Sequence, residues 1–203
     1  MPELDLENGY YGLPRGKLLN VVICLEMKAR PQTIGAGLPD GYVLKRLGQG
    51  DIATHRAIFR DVGEDLMWFS RLIMPDEKLK SVLADPNVES FAVMKGDVPV
   101  GILELNFREA PDCELAFFGV SKNTIGTGLG RALMNEALRR AWSRPISRLW
   151  VHTCHYDHPR ALGFYQKSGF TPYARMIEVH DDPRLSGHLP LSAAPQVPMV
   201  DHS

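Results

Sequence analysis

The sequence predicts a single mixed α/β domain, a central and mostly antiparallel twisted sheet flanked by helices. Three observations carry this expectation. Residues 90–95, 98–107 and 113–120 are strand-like runs separated by the hairpin-like breaks KGDVP and REAPD. The second half continues as helix, strand, helix, strand. Between them lies a strand-to-helix turn in which glycine alternates, Gly126-Thr127-Gly128-Leu129-Gly130. A chain of 203 residues with 44% hydrophobic and 23% charged residues is long and apolar enough to bury one core, which excludes a disordered or fibrous protein.

Along the chain, residues 1–19 hold few apolar anchors and residues 183–203 are rich in Pro, Ser and Ala, so both are expected as extensions. That leaves 20–182 as the domain, motif-dense over 98–179. Residues 20–28 (NVVICLEMK) are β-branched and apolar, and a turn-rich PQTIGAGLPDG separates them from a second strand at 42–47. The first run suits either an arm that helps a homodimer form or an intramolecular strand. Asp51 is placed to cap a helix running through Phe59, and Asp76 after Pro75 a second one carrying Leu79, Val82 and Leu83.

The meander follows, and then a strongly amphipathic helix over 129–142. Leu129, Leu133, Ala137 and Ala141 form its apolar stripe, widened by Met134 and Leu138. Residues 148–153 are a strand. Pro159 starts a helix that runs to about residue 168, Gly169 suits its C-terminal cap, and 170–179 is the last strand.

Charge and cysteine content remove several function classes. Lys plus Arg is 23 against 24 for Asp plus Glu, so there is no broad basic surface for nucleic acid and any anion site is local. Cys24, Cys113 and Cys154 are odd in number and form no CxxC pair, which disfavours a disulfide framework and a zinc cluster and suits a reducing cytoplasm. The acidic start lacks the basic and apolar regions of a secretory signal. The apolar stretch at 18–25 is far below the roughly 20 residues needed to cross a bilayer. The expectation is a cytoplasmic protein without membrane or nucleic-acid partners.

Gly126, Gly128 and Gly130 carry the chemistry. Without Cβ atoms the backbone turns tightly and directs its N–H groups outward, and the helix behind adds roughly half a positive charge, which suits a pyrophosphate. A glycine-rich turn that merely starts a helix is the plain alternative. A GxGxxG fingerprint from Gly126 meets Arg131 where glycine is needed, and one from Gly128 meets Leu133. No Gly-Lys-Ser/Thr triplet follows, so a P-loop is disfavoured too.

Glu104 and Glu114 sit inside otherwise apolar neighbouring strands, which is costly unless they line a wet cleft or find partners. Strict alternation puts Glu114 on a face with Ala116, Phe118 and Val120. If the register makes the two carboxylates neighbours, repulsion raises one pKa and suits a general base or a cationic amine; edge carboxylates paired with Arg108 or Lys122 are the alternative. His152, His155 and His158 with Cys154 span a strand end and a turn, so they share no face and no metal is expected.

The run Val120 to Leu133, together with His158-Pro-Arg-Ala-Leu-Gly-Phe-Tyr-Gln-Lys-Ser-Gly-Phe170, resembles the GNAT superfamily of acyl-CoA-dependent N-acetyltransferases. The first piece is similar to its Q/R-x-x-G-x-G/A acyl-CoA loop, the second to its N-x-x-A-x-x-x-Y-x-K-x-G-F segment. Here Ile125 replaces the Gln/Arg, and His158 the Asn. The resemblance implies a sheet whose two central strands splay apart, acetyl-CoA as co-substrate, and direct transfer to a primary amine of a small molecule or peptide. It implies cofactor contacts from Phe118, Gly119, Val120, Ile125, Gly126, Thr127, Gly128, Leu129, Gly130, Arg131, His158 and Tyr165. Tyr165 is the implied general acid, with Glu114 or Glu104 as base. The helical region at 51–84, with Trp68, Phe69, Asp61, Glu64 and Asp65, is implied to shape the acceptor side. Lys122, Arg131, Arg160 and Lys167 are expected to supply local positive charge for the phosphates, with a solvated surface residue as the plain alternative for each. A CoA-binding sensor or interaction module without transfer is the competing class.

Overall fold

A computed structural model describes residues 4–200; residues 1–3 and 201–203, the outermost parts of both extensions, lie outside the described residues. Seven strands form one sheet in the order β2-β3-β4-β5-β6-β1-β7. They are β1 (Lys17–Met27), β2 (Tyr42–Arg46), β3 (Val88–Lys95), β4 (Val98–Asn106), β5 (Asp112–Val120), β6 (Arg148–Cys154) and β7 (Thr171–Asp181). Every neighbouring pair is antiparallel except β5 and β6, which run parallel and are joined through a helix. The helices are α1 (Ile52–Gly63), α2 (Ser70–Ile73), α3 (Asp76–Ala84), α4 (Leu129–Ala141) and α5 (Ala161–Lys167).

The mixed fold follows from how the meander is patterned. Gly96, at φ 59°, starts the tight turn that sets Lys95 opposite Val98 and fixes the β3–β4 register. Both faces of β4 are then covered. Leu103 and Leu105 join the core under α4, with Leu129, Leu133, Met134 and Ala137, while Ile102 packs against Ile58, Phe59 and Val62 of α1. Leu133 is fully buried there, and trimming such a side chain to alanine costs about 2–5 kcal/mol.

Three features differ from the sequence expectations, and one open choice is decided. Of the two readings of residues 20–28, the intramolecular strand holds: β1 lies inside the sheet, paired antiparallel to β6 on one side and β7 on the other. The tail beyond 183 folds back, and Leu189, Ala193, Ala194 and Val197 pack with Met67 and Tyr156 in a cluster of their own. Arg184 fixes that return. Its buried guanidinium pairs with Asp182 at 2.8 Å and donates to the carbonyls of Ala193 at 3.3 Å and Val197 at 2.8 Å. Asp51 does not cap α1; its carboxylate turns back to accept from the Gly48 N–H at 2.9 Å and from Lys45 at 3.1 Å. Finally, β5 bulges at Ala116, since Glu104 faces Phe117 while the adjacent Leu105 faces Leu115.

Candidate active site

Beyond the bulge, β5 leaves β6. Their pairing covers only Asp112↔Arg148, Cys113↔Leu149 and Glu114↔Trp150, although β5 continues to Val120 and β6 to Cys154, so the two strands part and a gap opens. The Ser121 N–H bonds to the Val100 carbonyl at 2.9 Å, which in an antiparallel ladder makes Gly119 the next residue bonded to β4. Phe118 and Val120 therefore turn their main-chain N–H and C=O groups to the gap. Gly119 lines the cavity, but its N–H belongs to the β4 ladder, and its lack of a side chain answers α1: a Cβ would lie 2.4 Å from Val62 Cγ1.

The glycine loop closes the upper end of the gap. Gly126 and Gly128 both adopt φ 89°, a left-handed conformation that favours glycine, and Gly128 is the N-cap of α4. Gly130 is different. Its φ is ordinary and a Cβ there would meet nothing within 4 Å, so neither backbone strain nor packing demands glycine. Thr127 Oγ1 donates to the Thr124 carbonyl at 2.7 Å and accepts from Leu129 N at 3.4 Å, and the buried Leu129 side chain anchors the loop in the core. No hydrogen bond among the described residues engages the N–H groups of Gly126, Gly128, Gly130 or Arg131. Four amides without a partner at a helix start are groups of the kind an anion can engage. The Arg131 side chain is tied to Ser168 Oγ at 2.9 Å and stacked 4.9 Å from the Phe164 ring centroid. Ile125 adds an exposed apolar side chain at the mouth.

A cavity of about 960 Å³ runs from this loop through the gap to the α1–α2 side of the sheet. Arg71, Arg108, Lys122, Arg131, Arg160 and Lys167 line it, as do Asp65, Glu114, Asp157 and Glu178. Tyr165 lines it from α5, only 7% exposed, with its ring against Phe118 and Phe170. Burial, with the nearby Asp157 charge, pushes its phenol well above the ordinary range and keeps it protonated. Aromatic packing and access to the cavity coincide in this residue. His158 lines the cavity while its Nδ1 accepts from the Arg160 N–H at 3.1 Å, a local bond that starts the turn into α5.

The two glutamates do not form a repelling pair. Glu104 is 1% exposed, accepts from Arg71 Nη2 at 2.5 Å and lies 3.4 Å from His55 Nε2. Burial alone would raise its pKa, but the His55 hydrogen bond and the Arg71 charge overcome this and hold it at about 2. It is a structural anion, unsuited to serve as a base. Because the bulge shifts the alternation, Glu114 shares its face with Phe117 instead of Phe118 and Val120. Glu114 accepts from Asn106 Nδ2 at 3.1 Å and stands 3.9 Å from His152 Nδ1. The proposed partners Arg108 and Lys122 go elsewhere, to the Asn106 side-chain oxygen and to Asp65.

The three histidines diverge, since His155 Nδ1 accepts from the Val21 N–H at 3.0 Å while His152 and His158 take the contacts above. Burial and the Asp157 charge push the Cys154 thiol up to about 11, so it stays a protonated thiol near neutral pH.

Four cavity or near-cavity residues escape sequence reasoning. Arg71 and His55 give no motif; they matter only because Glu104 needs partners. Asp157, in the turn after β6, accepts from Trp68 Nε1 at 3.3 Å, Thr153 Oγ1 at 2.7 Å and Cys154 N at 3.1 Å, and so bridges the α1–α2 side to the β6 end. Asn20 enters the cavity wall only because β1 lies beside β6. A carboxylate directly before His158-Pro159 was the one readable signal among them.

The fold is a mixed sheet whose two parallel neighbours part beside a glycine turn at the start of a helix. The Acetyltransferase (GNAT) family matches residues 56–170, more than half of the chain, and the chain belongs to that family. No curated protein matches it at significant similarity. Among solved structures, a GCN5-related N-acetyltransferase from Sphaerobacter thermophilus shares 16% identity with a TM-score of 0.61, over 80% of this chain and 52% of that one. An acetyltransferase from Thermus thermophilus shares 23% identity at a TM-score of 0.50, over 69% and 96%. A functionally unknown conserved protein from Staphylococcus epidermidis shares 15% at 0.56, over 82% and 63%. At these identities the likeness establishes the fold. This chain spans 52% of the length of the first of these structures and 63% of the third.

Proposed function

We propose that the protein moves an acetyl group from acetyl-CoA to a primary amine by direct attack in a ternary complex. The observation that carries this is the set of unengaged amides at Gly126, Gly128, Gly130 and Arg131, opening onto the gap between β5 and β6. Those amides and the α4 N-terminus suit the diphosphate, with Arg131 adding charge. The free main-chain groups of Phe118 and Val120 suit an extended amide-bearing arm, added to β5 like a strand. An N–H at that edge also polarises a thioester carbonyl as charge builds on its oxygen.

Tyr165 gives its phenolic proton to the departing thiolate, a role that its raised pKa fits because the group is protonated before the step. The amine forms the C–N bond as the C–S bond breaks, and its proton passes to Glu114, beside His152. Tyr165 and Glu114 return to their starting states by exchange with water.

The test is thiol release from acetyl-CoA with a panel of primary amines, with binding of CoA measured on the same material. Release above the rate of hydrolysis supports transfer. Tight CoA binding without release on any amine supports the second reading, a CoA-binding module, which the replacements at Ile125 and His158 favour.

A further inference from the structure

Two side chains, Trp68 and Asp157, reach over the opening between β5 and β6 on its α1 side. The chain is shaped to bring the indole there. Met67 turns it at φ 60°, and the Trp68 N–H bonds to the Gly63 carbonyl at 2.9 Å. A Cβ on Gly63 would lie 2.4 Å from Trp68 Cβ, so α1 ends on glycine because the tryptophan comes back over it. The ring packs on Phe59 and on Phe117 of β5, at 5.4 Å between centroids in each case. Its Nε1–H donates to Asp157 Oδ1 at 3.3 Å.

Asp157 belongs to the other side of the opening. Its Oδ2 accepts from Thr153 Oγ1 at 2.7 Å and from the Cys154 N–H at 3.1 Å, the last two residues of β6. One carboxylate is thus fastened to β6 by one oxygen and to the β5 side by the other. The link lies past Glu114↔Trp150, the last ladder pair between these strands, where the ladder no longer sets their distance. Neighbouring strands are about 4.8 Å apart, so an extended arm seated between β5 and β6 needs them roughly 10 Å apart. Trp68 and Asp157 both line the cavity that this spacing opens.

We propose that Trp68 and Asp157 are positioning residues, a tie from the β5 side to the end of β6 that holds the opening at the width of an extended, amide-bearing arm. This rests on the reading that acetyl-CoA lays its arm between the two strands. A width set in advance spares the arm the cost of ordering both strands as it binds. The tie therefore acts on the arm and leaves the nucleotide at the glycine loop alone.

The experiment is calorimetry with two probes, coenzyme A and adenosine 3′-phosphate 5′-diphosphate, which keeps the nucleotide and diphosphate and lacks the arm. Trp68→Phe retains a ring against Phe59 and Phe117 and removes the N–H. Asp157→Asn cuts the tie from the opposite side, because its single acceptor oxygen cannot serve β6 and the indole together. Should one variant fail to fold, the other decides. The expected result is a coenzyme A affinity about 10-fold lower in each variant, the size of one hydrogen bond to a charged group, with no further loss in the double variant. Affinity for the armless nucleotide stays at the wild-type value, a split that a merely structural role would not produce. Unchanged coenzyme A affinity, or an equal loss for both probes, overturns the tie and leaves the seated arm standing. A wild type that binds coenzyme A no more tightly than the armless nucleotide overturns the seated arm and the tie with it. A wild type that binds neither probe overturns the acetyl-CoA reading as well.

Discussion

Gly130 and Gly128 border the same cradle for different reasons, and substitutions tell them apart. Gly128→Val imposes a β-branched side chain at φ 89° and harms both the loop and CoA binding. Gly130→Val meets open space at an ordinary φ, so stability changes by under about 1 kcal/mol. CoA affinity should nonetheless fall at least 10-fold, because the methyl groups stand over the amides; calorimetry and thermal melting on one sample check both halves. Tyr165→Phe should lower kcat about 100-fold with CoA affinity nearly unchanged, and an unaltered rate removes Tyr165 from the chemistry.

Glu104→Gln should behave as a stability mutant, costing about 3–5 kcal/mol in urea titrations by leaving the Arg71 guanidinium without its counter-charge. Glu104 is ionised down to about pH 2 in the fold, below its ordinary value of 4.5. Its contribution is thus complete above about pH 4.5 and is lost as pH falls toward 2. Between those values the urea midpoint of the wild type should drop more steeply than that of Glu104→Gln.

At the scale of elements, what was legible in the sequence is what local pattern encodes. The α4 stripe from Leu129 to Ala141, the Gly96 turn and the alternating glycines all follow from residues adjacent on the chain. Strand partners do not, and β1 shows why: the same apolar run satisfies an arm or an interior strand, and only pairing with β6 and β7 decides. The single extra residue at Ala116 had the larger effect on the site, since it moved Glu114 to the opposite face from that set by strict alternation.

Composition alone misleads about the tail. Small residues such as Ala193 and Ala194 bury well once Arg184 supplies donors to the chain's own carbonyls. The tail also supports the segment between α1 and α2, as Gln196 Nε2 donates to the Asp65 carbonyl at 2.7 Å and the cluster encloses Met67, whose φ of 60° needs such support. Arg184→Met should therefore lower stability by about 3 kcal/mol, through the buried and unpaired Asp182, and raise the KM for amine more than that for acetyl-CoA. Melting curves with steady-state kinetics check both effects.

Across the whole molecule, the cavity is lined by charges of both signs. Arg131 comes from α4, Arg160 and Lys167 from α5 and its N-cap, Glu114 and Glu178 from strands and Asp157 from the turn after β6, with Arg71, Arg108, Lys122 and Asp65 among them. A net charge of −1 says nothing of this local mixture of charges. The described residues include no helix long and apolar enough to cross a membrane. Isothermal calorimetry of the folded protein with coenzyme A tests the cradle most directly. Saturable one-to-one heat, weakened at least 10-fold in Gly130→Val of unchanged melting temperature, is the expected result; no heat with wild-type protein, or equal affinity in the variant, would contradict it.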